Sequence, residues 1–210
     1  MLRTRQVASS RGGRELFSGI DLEVGSGDAL RIGGRNGSGK TTLLRMLCGL
    51  TPPAEGEVLW KEAAIRRLGE SFRREVIYVG HASGLKDDLL AWENLVVAAR
   101  LSGLGISRKA ALQALQQLDV AELCDTPVRA LSQGQRKRVA LSRLCLPGPK
   151  PLWILDEPAA SLDDDAVKAL CSVLDAHLAQ GGMIVHATHQ AMPLAARRNL
   201  QVDLGQGGAC

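Results

Sequence analysis

The chain has 210 residues, 45% of them apolar and only 3% aromatic, with 23 glycines. That is enough to bury one large aliphatic core, with room for an inserted subdomain, and it demands many tight turns. The formal net charge of +4 is scattered over short groups such as Arg66–Arg67, Arg73–Arg74 and Arg136–Lys137–Arg138, which lack the long basic stripe of a nucleic-acid binder.

In chain order, residues 1–28 read as short strands and turns, a small antiparallel unit. "DALRI" (28–32) reads as a strand entering a Gly-rich loop, and "TTLLRMLCGL" (41–50) as the helix that follows and closes on Gly49. "VIYV" (76–79) is a third short apolar run, too short for a helix and rich in β-branched residues. The stretch from about 82 to 146 reads as helical throughout. Within it "SRKAALQALQQLDVAEL" (107–123) sets Leu112, Leu115 and Leu118 on one face, with Ser107 as N-cap. "LWIL" (152–155) and "MIVHAT" (183–188) read as strands, and "QVDL" (201–204) as a last edge strand. Between them "DDDAVKALCSVLDAHLAQGG" (163–182) carries Val167, Leu170, Leu174 and Leu178 on one face and stops at Gly181–Gly182. Alternating strands and helices imply an α/β fold with a mostly parallel core sheet. The expected division is 1–80 with 147–210 as the core, the antiparallel unit included, and 81–146 as the inserted helical subdomain.

No apolar run approaches the roughly 18 residues of a membrane span, and the N-terminus lacks a leader pattern. The chain is therefore expected to be soluble and to reach a membrane only through partners. The cysteines Cys48, Cys124, Cys145, Cys171 and Cys210 are odd in number and widely spaced, so reduced thiols are expected rather than disulfides or a zinc site. The tail "GQGGAC" around Cys210 is expected to be a frayed end.

Three stretches carry chemistry. "GRNGSGKTT" comprises Gly34, Arg35, Asn36, Gly37, Ser38, Gly39, Lys40, Thr41 and Thr42. It fits G-x-x-x-x-G-K-[ST] and lies between a predicted strand and a predicted helix. Its glycines let backbone N–H groups converge on phosphates, the helix start adds positive potential, Lys40 reaches the β- and γ-phosphates, and the Thr41 hydroxyl can ligate Mg²⁺. "PLWILDEP" (151–158) ends a buried strand on two carboxylates: Asp156 to hold Mg²⁺, directly or through water, and Glu157 to polarise an attacking water. "LSQGQRKR" (131–138) opens a helix with Ser132 as a plausible N-cap.

Together these stretches resemble the ATP-binding-cassette (ABC) ATPases. "LSQGQ" is similar to their signature, usually LSGGQ, with Gln133 in place of the first glycine of the pair. "ASLD" (160–163) resembles the D-loop, ending on Asp163, and Thr188–His189 the switch histidine that contacts γ-phosphate. The resemblance spans nearly the whole chain, in the right order. It implies a P-loop NTPase fold of the ABC type, ATP and Mg²⁺ as cofactors, and a homodimer in the ATP-bound state. Each ATP would lie between one subunit's phosphate loop and the other's signature helix, where Ser132, Gly134 and Gln135 stand. His186, inside its strand, is expected to be packed or satisfied.

Two departures matter. The family normally has a glutamine where His81 stands, touching Mg²⁺ or the attacking water at the start of the loop into the helical subdomain. A neutral imidazole can orient a water, but it offers no oxygen to magnesium. Taken with "GEVLW" (56–60) and "ELFSGIDLEV" (15–24), the stretch "YVGHASGLKDDLLAWENL" resembles the haem-exporter ATP-binding subfamily of the cytochrome c maturation system, which carries a Gly-His pair as at Gly80–His81. That resemblance implies integral-membrane transporter subunits as partners, peripheral placement at the cytoplasmic face of a bacterial inner membrane, and haem delivery as output. It leaves open whether hydrolysis moves haem or frees a haem-loaded chaperone. The second departure is the missing N-terminal aromatic for adenine. Either Arg11 or Arg14 stacks on the base, or adenine is held loosely; Phe17 is expected in the core. Competing readings are a cassette for another exported substrate, a non-transport ABC ATPase, and a nucleotide switch without turnover.

Overall fold

In the N-terminal segment Arg11 faces Arg14 across Gly12–Gly13, both with positive φ (59° and 75°), the backbone a two-residue hairpin turn requires. Strands β1 (Leu2–Arg11) and β2 (Arg14–Val24) therefore pair antiparallel. The computed structural model describes residues 1–148, 150–190 and 192–204; the Cys210 tail lies outside them.

The remaining elements are β3 (Asp28–Gly34), α1 (Lys40–Leu47), β4 (Glu55–Trp60), β5 (Ala63–Ala64), α2 (Ile65–Leu68), α3 (Glu70–Glu75) and β6 (Val76–Val79). They are followed by α4 (Ala91–Leu101), α5 (Arg108–Gln116), α6 (Gln133–Leu141), β7 (Leu152–Asp156), α7 (Asp164–Ala179), β8 (Met183–Ala187) and β9 (Arg198–Leu204). Short 3-10 turns lie at Ala121–Leu123, Val128–Ala130 and Ser142–Cys145.

One sheet is antiparallel, in the order β2-β1-β4-β5, and the other runs β6-β7-β8-β3-β9 with every pair parallel. The antiparallel unit is thus larger than the first 28 residues: β4 and β5 complete it. Gly56, at φ 77°, allows β4 to cross β1, since a Cβ there would collide with the carbonyls of Arg5 and Gln6.

Alternation along the parallel strands feeds two cores. Leu30, Ile32, Ile154 and Val185 meet α1 (Leu43, Leu44, Leu47) and the antiparallel sheet (Val7, Phe17, Trp60) on one face. Ala29, Trp153, Leu155 and Ile184 meet α7 (Leu170, Leu174, Leu178) and the helical insertion (Leu95, Leu115, Val139, Leu141) on the other. The insertion shares this second core with the parallel sheet, so it is docked on the sheet by common apolar burial.

The insertion is less helical than its pattern suggests. Residues 81–90 form an irregular loop. The helix expected over 107–123 stops at Gln116; Ser107 does cap it, accepting from Ala110 N at 3.2 Å. The reason is burial: Leu118 and Val120 are both buried, and residues two apart cannot share one helical face. The chain turns through Asp119 at φ 52°, with Val120 N donating back to Leu115 O. On α7 the buried stripe is Ala166, Leu170, Leu174 and Leu178, and Val167 is only half-buried. The described cysteines, Cys48, Cys124, Cys145 and Cys171, are all free thiols.

Two histidines are withdrawn from solvent, His186 fully and His177 in part. His177 stacks on Trp153 at 3.7 Å and 6°, and His186 lies inside the parallel sheet; His177 Nε2 and His186 Nδ1 lack partners among the described residues. His186 is thus packed but not satisfied. Burial pushes both imidazoles down to about 4, in His177 against backbone bonds at Met183 and Pro151 that act upward, in His186 with the Arg31 charge adding to the effect. The unfolded chain takes up these protons near the ordinary value of about 6.5. Between about pH 6.5 and pH 4 the unfolded state therefore binds more protons, and stability, complete above that window, is lost as pH falls through it. Thermal melts from about pH 7 to about pH 4.5 are expected to show a falling Tm, with a shallower fall in His186→Leu.

Candidate active site

The parallel register brings four strand ends to one edge. β3 runs out through Gly33–Gly34 into the loop before α1, β7 ends on Asp156 beside Ala187 of β8, and β6 ends at Val79 beside Leu155. The loop turns on three glycines in the left-handed half of backbone space: Gly34 (φ 131°), Gly37 (80°) and Gly39 (102°). A Cβ on Gly34 would lie 2.5 Å from Leu204 O and 2.6 Å from Ser38 Oγ, and one on Gly39 would lie 2.9 Å from the Phe17 ring. Phe17 is therefore core, as expected, and it forms the floor under the phosphate loop. Arg11 and Arg14 are exposed at the hairpin tip.

The first N–H groups of α1 have no intrahelical acceptor and open onto this loop. Ser38 Oγ is buried without a partner among the described residues, a polar atom that a phosphate oxygen would satisfy. Lys40 Nζ donates to Gly34 O (2.8 Å) and Arg35 O (3.3 Å) and lies 3.3 Å from His189 Nε2. The Arg35 and Asn36 side chains are exposed, and Thr42 is half-buried in the first turn of α1.

The Thr41 hydroxyl donates to Asp156 Oδ2 at 2.8 Å, and Asp156 is only 3% exposed. The next residue, Glu157, is forced into the left-handed region at φ 48°, while its N–H extends the β7–β8 ladder to Ala187 O (2.9 Å). A non-glycine residue there costs about 1–3 kcal/mol and marks sites where side-chain placement matters. Its carboxylate turns to His189: Oε2 accepts from His189 N (3.3 Å), and Oε1 lies 3.5 Å from Nε2. Lys40, Thr41, Asp156, Glu157 and His189 thus form one constellation drawn from three strand ends.

Among the described residues no group of three or more His, Cys, Asp or Glu could hold a metal by itself. Thr41 and Asp156 offer two oxygens side by side. That donor set suits Mg²⁺, which takes one or two protein oxygens and completes its shell with phosphate and water.

Among the described residues the other candidates make no hydrogen bond or ion pair with this cluster. His81 is exposed two residues beyond β6 and makes no hydrogen bond or ion pair with the described residues. Ser132 and Gln135 form a capping box on α6, with Ser132 Oγ accepting from Gln135 N (3.3 Å) and Gln135 Oε1 accepting from Ser132 N (2.9 Å). Gly134 abuts the loop after Glu157, where a Cβ would lie 2.8 Å from Ser161 O. Asp163 caps α7, accepting from Ala166 N at 2.8 Å. The loop after His81 is tied down by Asn94, which accepts from Lys86 N (2.7 Å) and donates to Leu90 O (3.1 Å), and by Asp87, which pairs with Arg136 of α6 at 3.0 Å. Asn94 and Lys137, both buried polar residues, carry no sequence signal that distinguishes them from surface residues.

Comparison with known proteins decides the family. The ABC transporter family model matches residues 17–160. The chain belongs to the ABC transporter family. The cassette is 47% identical, over 92% of its length and 85% of the relative's, to the cytochrome c biogenesis ATP-binding export protein CcmA of Cupriavidus pinatubonensis. The CcmA proteins of Nitrosomonas europaea and Dechloromonas aromatica are 46% and 43% identical, over 93% and 98% of the cassette; it belongs to their group. Its fold matches MJ0796, a dimeric bacterial ABC transporter cassette, with a TM-score of 0.83 at 26% identity, covering 98% of this chain and 95% of that one. A structure of MJ0796 bound to ADP and Pi, 24% identical, has the same TM-score. The cassette is an ATPase of α/β architecture with the antiparallel sheet and helical insertion described above.

Gly34→Ala is expected to weaken nucleotide binding by about tenfold or more, through strain at φ 131° and collision with Leu204 O. Gly105→Ala, which points into open space, is expected to bind as the unmodified protein does. Titration with a fluorescent ATP analogue measures both.

Proposed function

We propose that the chain is the ATP-hydrolysing subunit of an export complex that serves cytochrome c biogenesis, with haem delivery as the output. The observation that carries the hydrolytic part is the 2.8 Å bond between Thr41 and Asp156, set beside Glu157, His189 and Lys40. The subfamily part rests on the CcmA relatives and on Gly80–His81 at the end of β6.

In this reading the loop from Gly34 to Thr42 wraps the phosphates with its amides, and Lys40 turns from its own loop carbonyls to the β- and γ-phosphates. Thr41 and Asp156 hold Mg²⁺, which when bound offsets charge on the phosphate oxygens. Glu157 accepts the proton of the attacking water as general base. Its left-handed backbone and the His189 N–H aim its carboxylate. His189 and His81 orient γ-phosphate and water; among the described residues nothing hydrogen-bonds or pairs with the exposed His81.

Gly134 lies against the loop that follows Glu157, and Ser132 and Gln135 stand at the start of the same helix. They meet nucleotide when a second copy docks head to tail, with Asp163 near the junction. This makes the working unit a homodimer with two composite sites.

No helix among the described residues is long and apolar enough to cross a membrane. In this reading, which rests on the CcmA relatives, the dimer docks on integral-membrane subunits of the cytochrome c maturation system, at the cytoplasmic face of a bacterial inner membrane. Nucleic acid is not a partner in this reading. The loop from His81 to Leu90, tied to both α4 and α6, links that dock to the hydrolytic site.

Glu157→Gln is expected to lower kcat by about a hundredfold or more with little change in KM, read in a steady-state ATPase assay; unaltered turnover would remove Glu157 as base. The same variant, tagged and loaded with ATP, is expected to retain cytochrome c maturation membrane subunits from detergent-solubilised membranes. Retention of an unrelated permease would keep the ATPase and discard the haem role. Recovery of ribosomal proteins or nucleic acid alone would overturn the transport reading.

A further inference from the structure

Strand β6 divides its side chains between the two cores. Ile77 and Val79 pack into the one shared with the helical insertion, and Val76 and Tyr78 into the one under the phosphate loop. Residues two apart on a strand share a face, so Gly80 continues the Tyr78 face one step past the strand end. Side chains on a strand lean along it, and two residues of strand span roughly 6.6 Å, which a tyrosine side chain can cover. The Tyr78 ring does so. A Cβ on Gly80 would stand 3.1 Å from Tyr78 Cε1, 3.2 Å from its hydroxyl oxygen and 3.3 Å from Cζ. These separations are tighter than the usual contact of about 3.5–4.0 Å between carbons.

Gly80 is not one of the glycines with a left-handed backbone. No unusual torsion calls for glycine there; the reason is room for the ring. His81 follows at once. It is exposed and makes no hydrogen bond or ion pair with the described residues. For residues 81–85 the one hydrogen bond among the described residues is local, Leu85 N to Ser83 Oγ at 3.5 Å. The chain is next anchored at Lys86, through Asn94. The backbone that carries His81 is therefore held from the β6 side. The strand pairing reaches Val79, opposite Leu155, and the Tyr78 ring extends the hold to Gly80.

We propose that Tyr78 is a positioning residue for His81: its ring fills the space that Gly80 leaves open and fixes the backbone from which the imidazole projects. The ring acts by packing, and its hydroxyl is not required. This inference rests on the reading of His81 as a group that orients γ-phosphate and water. It assigns Tyr78 no contact with nucleotide.

The contact is tested first, on the full chain without nucleotide or metal. Tyr78 is the single tyrosine of the sequence, so its ring protons are identified by residue type, and Gly80→Ala identifies the Gly80 resonance by its loss. A nuclear Overhauser effect from the ring to a Gly80 Hα is expected, since one of those hydrogens points where a Cβ would stand. Its absence would overturn the proposal.

Steady-state ATPase kinetics test the role. Tyr78→Leu keeps apolar bulk in the core and lacks the outer ring. It is expected to lose about fivefold in kcat with KM for ATP nearly unchanged, and Tyr78→Phe to keep most of the activity. Gly80→Val, which fills the seat of the ring, is expected to lose about tenfold by itself and clearly less in the Tyr78→Leu background. Full kcat in Tyr78→Leu, a phenylalanine variant no better than leucine, or equal Gly80→Val losses in both backgrounds would overturn the proposal. Should Tyr78→Leu fail to fold, Tyr78→Met enters the same comparisons. His81→Ala is measured alongside. If it turns over as the unmodified protein does, the reading of His81 fails, and the Overhauser contact alone then decides whether Tyr78 sets the backbone at Gly80–His81.

Discussion

Everything in the site depends on one constraint, the parallel register of β3, β7 and β8. Ile32 stands beside Ala187, and Asp156 stands beside Ala187 from the other side. Strands that run the same way deliver their C-terminal ends to the same edge, where ligands of open α/β sheets are bound. Residues far apart in the chain, Lys40, Glu157 and His189, become neighbours for that reason alone. The ladder even continues one step past β7: Glu157 donates its N–H to Ala187 O, and that bond fixes the backbone from which the carboxylate projects.

The two cores on either side of this sheet do different jobs. The one shared by α1 and the antiparallel sheet supports the phosphate loop from below, through Phe17 under Gly39. Each fully buried apolar side chain contributes roughly 1.5–3 kcal/mol, so the Leu43, Leu44 and Leu47 stripe alone is ample to anchor the first helix. The other core fastens the helical insertion to the sheet through Leu95, Leu115 and Val139. Polar ties then orient its loops. Asn94 holds the segment after His81, and Arg136 joins that segment to the signature helix. The surface ion pair is weak by itself; the buried amide of Asn94, with several backbone partners, is the firmer tie.

Much of this was legible in the residues. The Gly34–Thr42 loop and the apolar strand ending at Asp156 and Glu157 are local patterns whose chemistry follows from spacing, while the role of His189 came only from the family resemblance. The alternation of strands and helices was enough for an α/β architecture. What failed to read were features set by contacts distant in sequence. β4 was not read into the antiparallel unit, because its partner β1 lies some fifty residues earlier. The helix through 107–123 looked continuous because its leucines keep a helical period, while burial of both Leu118 and Val120 breaks it. The packing of His186 inside its strand was read correctly; that Nδ1 has no partner among the described residues was not visible in the chain.

The sequence by itself determined the chemistry on offer: which side chains can hold phosphate, which oxygens suit magnesium, and which carboxylate can take a proton. Those depend on residue type and short spacing, and both are written in the chain. Only the tertiary structure decided which of them meet. It joined Thr41 to Asp156 and Glu157 to His189, and turned Ser132 and Gln135 to each other as the cap of α6. The physical reason is that parallel strand order and helix docking are global solutions to burying apolar area.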